Sequence, residues 1–100
     1  MSEAADRHPI PDRQRVDVWL FRARFFKTRS QAGQAVADGV VRMERAGQTK
    51  LLEKAAEPVS PGDVLLISAA RGLGAVRVLA LGARRGPPAE ARALYEELAN

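Results

Sequence analysis

Apolar residues recur at helical spacing near the start of the chain. From residue 16 they occupy positions i, i+3, i+4 and i+7, which lie on one face of a helix. The four residues are Val16, Trp19, Leu20 and Ala23. This pattern predicts a helix with one buried face, closed by the Phe25-Phe26 pair. The preceding stretch is proline-containing and poor in apolar residues, so residues 1–12 are predicted to be a disordered arm.

A second helix is predicted directly after a short polar turn. Thr28 and Gln31 have the spacing of a capping box, in which the Thr hydroxyl accepts the N–H three residues on and the Gln side chain reaches back. The inward-facing positions of this helix would be Ala32, Ala35 and Val36. Gly39 is placed to end it in the left-handed conformation. The pattern therefore predicts two short helices joined by a tight basic turn.

Later in the chain, short apolar runs bounded by turn residues predict strands. The strongest turn signal is Ser60-Pro61-Gly62-Asp63, and Ala46-Gly47 is a second one. The predicted elements are a strand over 40–43, an irregular stretch with room for a strand over 48–58, a buried strand over 64–67, a loop over 71–74, its hairpin partner over 75–81, and a short amphipathic helix over 89–99. Helices followed by a small sheet predict an α+β fold.

Length and composition narrow the class of protein. At 100 residues the chain can bury one hydrophobic core, which excludes multidomain enzymes, barrels and dinucleotide-binding folds. It has no cysteine, and its single histidine, His8, lies in the polar N-terminal stretch, so thiolate and histidine metal sites and nucleophilic triads are disfavoured. Its acidic residues are scattered. We therefore predict no enzymatic activity, no catalytic residues, no metal and no cofactor.

Hydropathy indicates where the protein acts. No apolar run approaches the roughly 18 residues of a membrane span. The first residues, MSEAADRHPIPDR, lack the apolar centre of a signal peptide. We therefore expect a cytoplasmic location and no membrane partner.

Positive charge is concentrated in one segment. The net charge is +4, and residues 13–29 hold six basic residues against a single acid, Asp17. Such a cluster is typical of a surface that binds a polyanion, most often nucleic acid. A solvated helix face would have the same composition, so both interpretations stay open on composition alone.

The candidate site is the basic turn between the two predicted helices. The first turn of a helix has unpaired N–H groups and the positive end of the helix dipole, and both attract anions. Lys27, Thr28 and Arg29 stand at this helix end, and Arg24 lies one turn earlier. Converging cations favour phosphate binding; the alternative is an N-cap flanked by solvated charges. We expect Asp17 to orient an arginine rather than to act as a general base.

Aromatic residues alternate with the arginines of this segment. Base stacking on them is one interpretation. Packing is preferred for Trp19, which shares the apolar face, and we also favour packing against the sheet for Phe21 and Phe25. Arg42 and Lys50 would either extend the basic surface or be solvated.

These residues resemble a known class of RNA-binding domain. The matching residues are Arg15-Val16-Asp17-x-Trp19-Leu20-x-x-Ala23-Arg24-Phe25-x-Lys27-Thr28-Arg29, then Ala32, Gly39, Val41 and Gly62-Asp63. They resemble the αL RNA-binding domain named after ribosomal small-subunit protein S-four. The later segments Ala83-Arg84-Arg85-Gly86-Pro87 and Ala91-x-x-Leu94-Tyr95-Glu96-Glu97 are similar to the fifteen-kilodalton ribosome-associated heat-shock protein family. The resemblance covers residues 13–98.

The resemblance implies a fold and a domain organisation. The fold is α+β, with an αL motif of two N-terminal helices packed on a small curved antiparallel or mixed β-sheet and a short C-terminal helix. The chain would then consist of the arm at 1–12, an RNA-binding domain over 13–82, and a basic linker with a short helix over 83–100.

The resemblance also implies partners and contact residues. Related heat-shock proteins bind free large ribosomal subunits that carry a blocked nascent chain on transfer RNA, and help to recycle them. The expected partners are therefore ribosomal RNA and the large subunit, with nascent-chain transfer RNA. The expected RNA-binding residues are Arg15, Arg24, Lys27, Thr28, Arg29, Gln31 and, on the first strand, Arg42.

The chain departs from the family pattern in two places within this range. Val18 stands where lysine is common, and residues 46–58 lack the usual short Asn-Gly turn. The alternative function is a generic RNA- or DNA-binding module, or a basic protein-interaction module, without ribosome specificity.

Overall fold

The computed structural model describes residues 13–67 and 74–98. In chain order the elements are β1 (Gln14–Arg15), α1 (Val16–Arg22), α2 (Arg29–Ala37), β2 (Val41–Arg45), β3 (Gln48–Leu51), β4 (Pro58–Val59), β5 (Val64–Ile67), β6 (Ala75–Val78), α3 (Pro88–Arg92) and β7 (Tyr95–Leu98). The predicted arm at 1–12 and residues 71–73 of the predicted loop lie outside the described residues.

The two N-terminal helices bury the positions that their periodicity predicts. Those residues are Val16, Trp19, Leu20, Ala23, Ala32, Ala35 and Val36. α1 ends at Arg22, earlier than the predicted Phe25-Phe26 pair, because the Arg24 N–H bonds the Phe21 carbonyl and the Phe25 N–H bonds the Leu20 carbonyl. This pair of backbone hydrogen bonds is a Schellman motif, which turns the chain out of the helix.

The same motif ends α2, as predicted. Gly39 has φ 79°, its N–H bonds the Val36 carbonyl, and the next N–H, of Val40, bonds the Ala35 carbonyl. Glycine adopts this left-handed conformation without the Cβ clash that other residues meet. The chain can therefore reverse at once and enter β2.

One antiparallel sheet packs beneath the helices. Its strand order is β3-β2-β5-β6-β7, and β1 pairs separately with β4. Its buried face contributes Val41, Met43, Leu65, Ile67, Val76 and Val78 to the core shared with the helices. The stretch over 48–58 contains β3, which pairs with β2 across the two-residue Ala46-Gly47 turn. The α+β class, with two helices on an antiparallel sheet, is thus confirmed.

The predicted helix over 89–99 is wrong beyond its first turn. α3 spans only Pro88–Arg92, and Tyr95–Leu98 forms β7 along the edge of β6. A short isolated helix is marginal in water, whereas pairing with β6 satisfies backbone groups and packs the Tyr95 ring 4.7 Å from that of Phe25. Long-range pairing therefore overrides the helical spacing of Leu94, Tyr95 and Leu98. The predicted strand over 75–81 is shortened for the same reason, since the N–H groups of residues 79 and 80 bond the Leu94 carbonyl.

A buried carboxylate stabilises the predicted turn at residues 60–63. Asp63 is 4% exposed and accepts hydrogen bonds from Arg45 Nε at 2.9 Å, from Arg45 Nη2 at 2.7 Å and from the Ser60 N–H at 2.9 Å. Burial alone would raise the pKa of Asp63, but the Arg45 and Ser60 hydrogen bonds and the Arg45 charge outweigh burial and leave this pKa lowered.

The lowered pKa predicts how stability depends on pH. A carboxyl whose pKa is lower in the folded state stabilises the fold above its unfolded pKa of about 3.9, and this stabilisation is lost as pH falls through the folded pKa. Asp63→Asn is expected to reduce the free energy of unfolding at pH 7 by about 1–2 kcal/mol, because Arg45 is half exposed and solvent screens the pair. The variant should also lose less stability than the native chain on acidification, as measured by urea unfolding at neutral and acidic pH.

Glu96→Gln is the matched control for this prediction. Its carboxylate pairs with Arg77, and both side chains are exposed, so the change in stability should be small. Equal loss of stability on acidification in Asp63→Asn and the native chain would contradict the role given to Asp63.

Candidate nucleic-acid interface

A buried acid joins the two helices at the basic end of the molecule. Asp17 is 5% exposed and accepts hydrogen bonds from Arg15, with Nε···Oδ1 at 3.0 Å and Nη2···Oδ2 at 2.9 Å. Arg29 Nη2 lies 3.8 Å from the same carboxylate. Asp17 therefore orients arginines, as predicted. The hydrogen bond to Asp17 and the Asp17 charge raise the pKa of Arg15 above its ordinary value. Because one carboxylate faces two guanidinium groups, this cluster keeps a net positive charge.

The predicted capping box forms, with one partner displaced by a residue. Thr28 Oγ1 accepts the Gln31 N–H at 3.0 Å, and Gln31 Oε1 accepts the N–H of Lys27, at 3.2 Å, in place of that of Thr28. Among the described residues, no acceptor bonds the N–H groups of Arg29 and Ser30, in the exposed first turn of α2. This helix end therefore presents free donors, the positive end of the dipole and two cationic side chains to solvent.

Arg24 stands at the centre of the turn in an uncommon backbone conformation. Its φ of 69° lies in the left-handed region, which costs a residue with a Cβ about 1–2 kcal/mol. Its Nε donates to the Gly86 carbonyl at 2.7 Å. The turn is thereby fixed to residues 83–87, which we call the 83–87 loop. Arginine in this left-handed backbone conformation is strained, and such backbone strain is typical of functional sites.

Several cations of the basic end have no ion-pair partner among the described residues, although Asp17 and Glu90 pair with others there. On the sheet, ion pairs join Arg45 to Asp63, Lys50 to Glu57 and Arg77 to Glu96. Around the basic turn, by contrast, several cations lack a carboxylate partner within residues 13–67 and 74–98. These cations are Arg22, Arg24, Lys27 and Arg85. Four cations without a carboxylate partner therefore lie where α1, α2 and the 83–87 loop meet, while Arg42, Lys54 and Arg92 are further such cations in the described part of the chain.

Six of the seven predicted contact residues lie at this end of the molecule. The exception is Arg42, which is exposed between buried Val41 and Met43 and so lies on the sheet face opposite the helices. Its cross-strand neighbours are Leu51 and Leu66. The structure does not bring Arg42 together with the basic turn.

The aromatic residues have two different environments. Trp19 and Phe25 belong to the core, as predicted, with ring centroids 5.9 Å apart. Phe21 is half-buried and lies outside the core cluster, and the Arg85 guanidinium carbon lies 5.1 Å from its ring centroid. The predicted packing of Phe21 against the sheet is therefore wrong, because the 83–87 loop returns to cover its ring.

Three further arginines, which the sequence pattern did not assign to the interface, lie at this end of the molecule. Arg22 Nη1 donates to the Gly82 carbonyl at 2.7 Å, and Arg84 and Arg85 stand on the adjoining loop. The adjacent pair Arg84-Arg85 is the sequence feature that could have indicated this part of the basic surface. Its place beside α1 depends on a contact between residues some 60 positions apart in sequence.

Metal-ligating side chains do not cluster in residues 13–67 and 74–98. No group of three or more His, Asp or Glu side chains converges within them. A cavity of about 240 Å³ lies between Arg22 and the segment carrying Arg84, Glu90 and Leu94, which is smaller than the roughly 300 Å³ at which ligand pockets begin. Every helix in the described part of the chain is too short or too polar to cross a lipid bilayer.

The fold and this basic surface define the class of the protein. Residues 14–43, from β1 into β2, match the S4 domain family. The chain is thus an RNA-binding module of the αL type and not an enzyme. A comparison with curated proteins gives no significant match.

A solved structure narrows the class to a family. The trimeric structure of Vibrio cholerae Heat Shock Protein 15 matches with a TM-score of 0.73 and 31% sequence identity, covering 87% of this chain and 83% of that one. The chain belongs to the heat shock protein 15 family of S4-domain proteins. The resemblance read from the sequence is confirmed.

Proposed function

We propose that the chain binds structured ribosomal RNA on the large ribosomal subunit, in a heat-shock or stalled-ribosome recycling role in the cytoplasm. The observation that carries the proposal is the group of uncompensated cations around the N-terminus of α2 in an S4 domain. The heat-shock name of the similar Vibrio cholerae protein supports the biological role. The proposed partner is the large ribosomal subunit that carries a nascent chain on transfer RNA.

The proposed contacts read the shape of RNA rather than its sequence. The arginines and the lysine would bind phosphate oxygens, while the Thr28 hydroxyl and the free amide donors of Gln31 would reach phosphate or 2′-hydroxyl groups. The proposed contact residues are Arg15, Arg24, Lys27, Thr28, Arg29 and Gln31, with Arg42 as a separate contact on the other face. Phosphate contacts make affinity fall steeply with salt.

Co-sedimentation with separated ribosomal subunits tests this proposal. The protein should be retained on large subunits at low salt, be lost as salt rises, and bind small subunits less. Equal weak binding to both subunits at low salt alone would favour generic affinity for nucleic acid. Absence of binding to either subunit, with capture of a protein partner that survives nuclease treatment, would favour the protein-interaction alternative.

A further inference from the structure

The 83–87 loop, with Gly82 before it, is attached to α1 and the basic turn by three arginine side chains. Arg22 and Arg24 donate to the carbonyls of Gly82 and Gly86, at 2.7 Å each. In addition, the Arg85 guanidinium group of the loop lies over the Phe21 ring of α1. The loop is therefore a fixed part of the basic surface, although α2 and the loop are far apart in sequence.

The opposite side of the loop is also fixed. Arg84 Nη2 pairs with Glu90 Oε1 on α3 at 2.8 Å, and a Cβ at position 86 would overlap the Glu90 carboxylate. The Glu90 carboxylate therefore lies directly over Gly86. A loop held from both sides presents its other arginine, Arg85, in a preset position.

Arg85 differs from the other arginines at this end of the molecule. Arg15, Arg22, Arg24 and Arg84 each donate to a carboxylate or a carbonyl, whereas no hydrogen bond from the Arg85 side chain is found among the described residues. Its Nε lies out of solvent without an acceptor. Its charge also has no carboxylate partner in that part of the chain, so only the Phe21 ring holds the guanidinium group.

A planar cation held on an aromatic ring has a specific use in RNA recognition. Guanidinium planes and aromatic rings stack on bases, and the unused N–H donors of arginine suit base edges and phosphate oxygens. Paired bases inside a duplex do not offer a free face, whereas a bulged or looped-out base does. Because the basic turn lies next to the loop, a strand whose phosphates bind the turn would pass Arg85.

We infer that Arg85, positioned by Phe21, forms a stacking site for an unpaired nucleobase of the bound RNA. The inference rests on the proposed function and extends it, because the basic turn alone reads only backbone shape. The 83–87 loop would make the protein prefer a duplex that contains a bulged or flipped-out base.

Two RNA hairpins with the same stem test this inference. One carries a single bulged 2-aminopurine and the other is fully paired. The native chain should bind the bulged hairpin about 5-fold or more tightly than the paired one, since stacking of one base is typically worth at least this much, and the fluorescence of the bulged base should fall on binding. Arg85→Lys keeps the positive charge but removes the planar guanidinium group. It should abolish both the preference for the bulged hairpin and the fluorescence change. Phe21→Leu should reduce both.

Arg77→Lys is the matched control, because this arginine lies in β6 and pairs with Glu96 away from the loop. It should leave the preference intact, and thermal unfolding should show that each variant is folded. Equal affinity of the native chain for the two hairpins, or an equal loss for both hairpins in Arg85→Lys, would overturn the stacking site while leaving phosphate binding in place. Failure of the native chain to bind either hairpin would instead overturn the proposed function together with the inference.

Discussion

Replacing Lys27 and Arg29 together by glutamine is expected to lower the affinity for ribosomal RNA roughly 25- to 100-fold at moderate salt. The two side chains flank the exposed first turn of α2, and each is proposed to bind one phosphate group. Loss of one phosphate contact removes the release of about one counterion, worth about 5- to 10-fold in affinity near physiological salt. The two losses should roughly multiply, because the proposed contacts are separate.

The diagnostic measurement is the salt dependence of binding. The slope of log affinity against log salt should become less steep by about 1 for each residue replaced. Arg77→Gln, which removes a charge from the sheet, should change the slope little. Unaltered slopes in both single variants, Lys27→Gln and Arg29→Gln, would show that these residues do not contact phosphate.

Lys27 and Arg29 are better test positions than Arg24. The side chain of Lys27 has no partner among the described residues, and that of Arg29 has only a distant one in Asp17. Arg24 instead holds the 83–87 loop through Gly86 and adopts a left-handed φ that suits alanine no better than arginine. Arg24→Ala would therefore disturb the interface as well as remove a charge.

Trp19→Ala is expected to reduce the free energy of unfolding by about 3–5 kcal/mol, the range typical of large aromatic truncations in cores. Trp19 has no exposed surface, and its Nε1 donates to the Ala80 carbonyl at 2.9 Å. Its ring lies 5.9 Å from that of Phe25 and meets the Tyr95 ring edge-on at 6.4 Å. It therefore joins α1, the start of the basic turn and β7. A domain whose total stability is about 5–15 kcal/mol would become marginal.

Urea unfolding of two further variants separates packing from hydrogen bonding. Trp19→Phe keeps an aromatic ring but leaves the Ala80 carbonyl without its donor, and should cost less than Trp19→Ala, though more than about 1 kcal/mol. Leu79→Ala removes a half-exposed side chain and should change stability by less than about 0.5 kcal/mol. Equal costs for Trp19→Ala and Leu79→Ala would contradict the central place given to Trp19.

The helical part of the fold could be predicted because its signals are local. The spacing of Val16, Trp19 and Leu20, the Thr28 cap and the glycine at position 39 act over a few residues, and each acts in the structure as the pattern indicates. Charge in the same segment identified the candidate interface for the same reason. The end of α1 was less predictable, because an arginine there occupies the left-handed position usually held by glycine.

The C-terminal segment could not be predicted in this way. Its apolar spacing fits a helix, but the free edge of β6 offers backbone partners, and the Trp19 and Phe25 rings offer a place for Tyr95. These competing interactions involve residues widely separated in sequence, so a local pattern does not contain them. The separation of Arg42 from the basic turn is likewise a property of the sheet, since strand alternation turns its side chain to the far face.

The amino-acid sequence by itself determined the two helices and the basic turn between them, because periodicity, capping and clustered charge operate over short stretches of chain. The class of protein came from the resemblance of this segment to a known domain family. Only the tertiary structure decided that Asp17 is shared by Arg15 and Arg29, that the 83–87 loop lies against α1, and that Arg85 covers Phe21. Such contacts depend on how buried surfaces and backbone edges are satisfied across the whole fold. Clustered charge indicated the candidate interface, and packing decided which of its groups have no partner among the described residues.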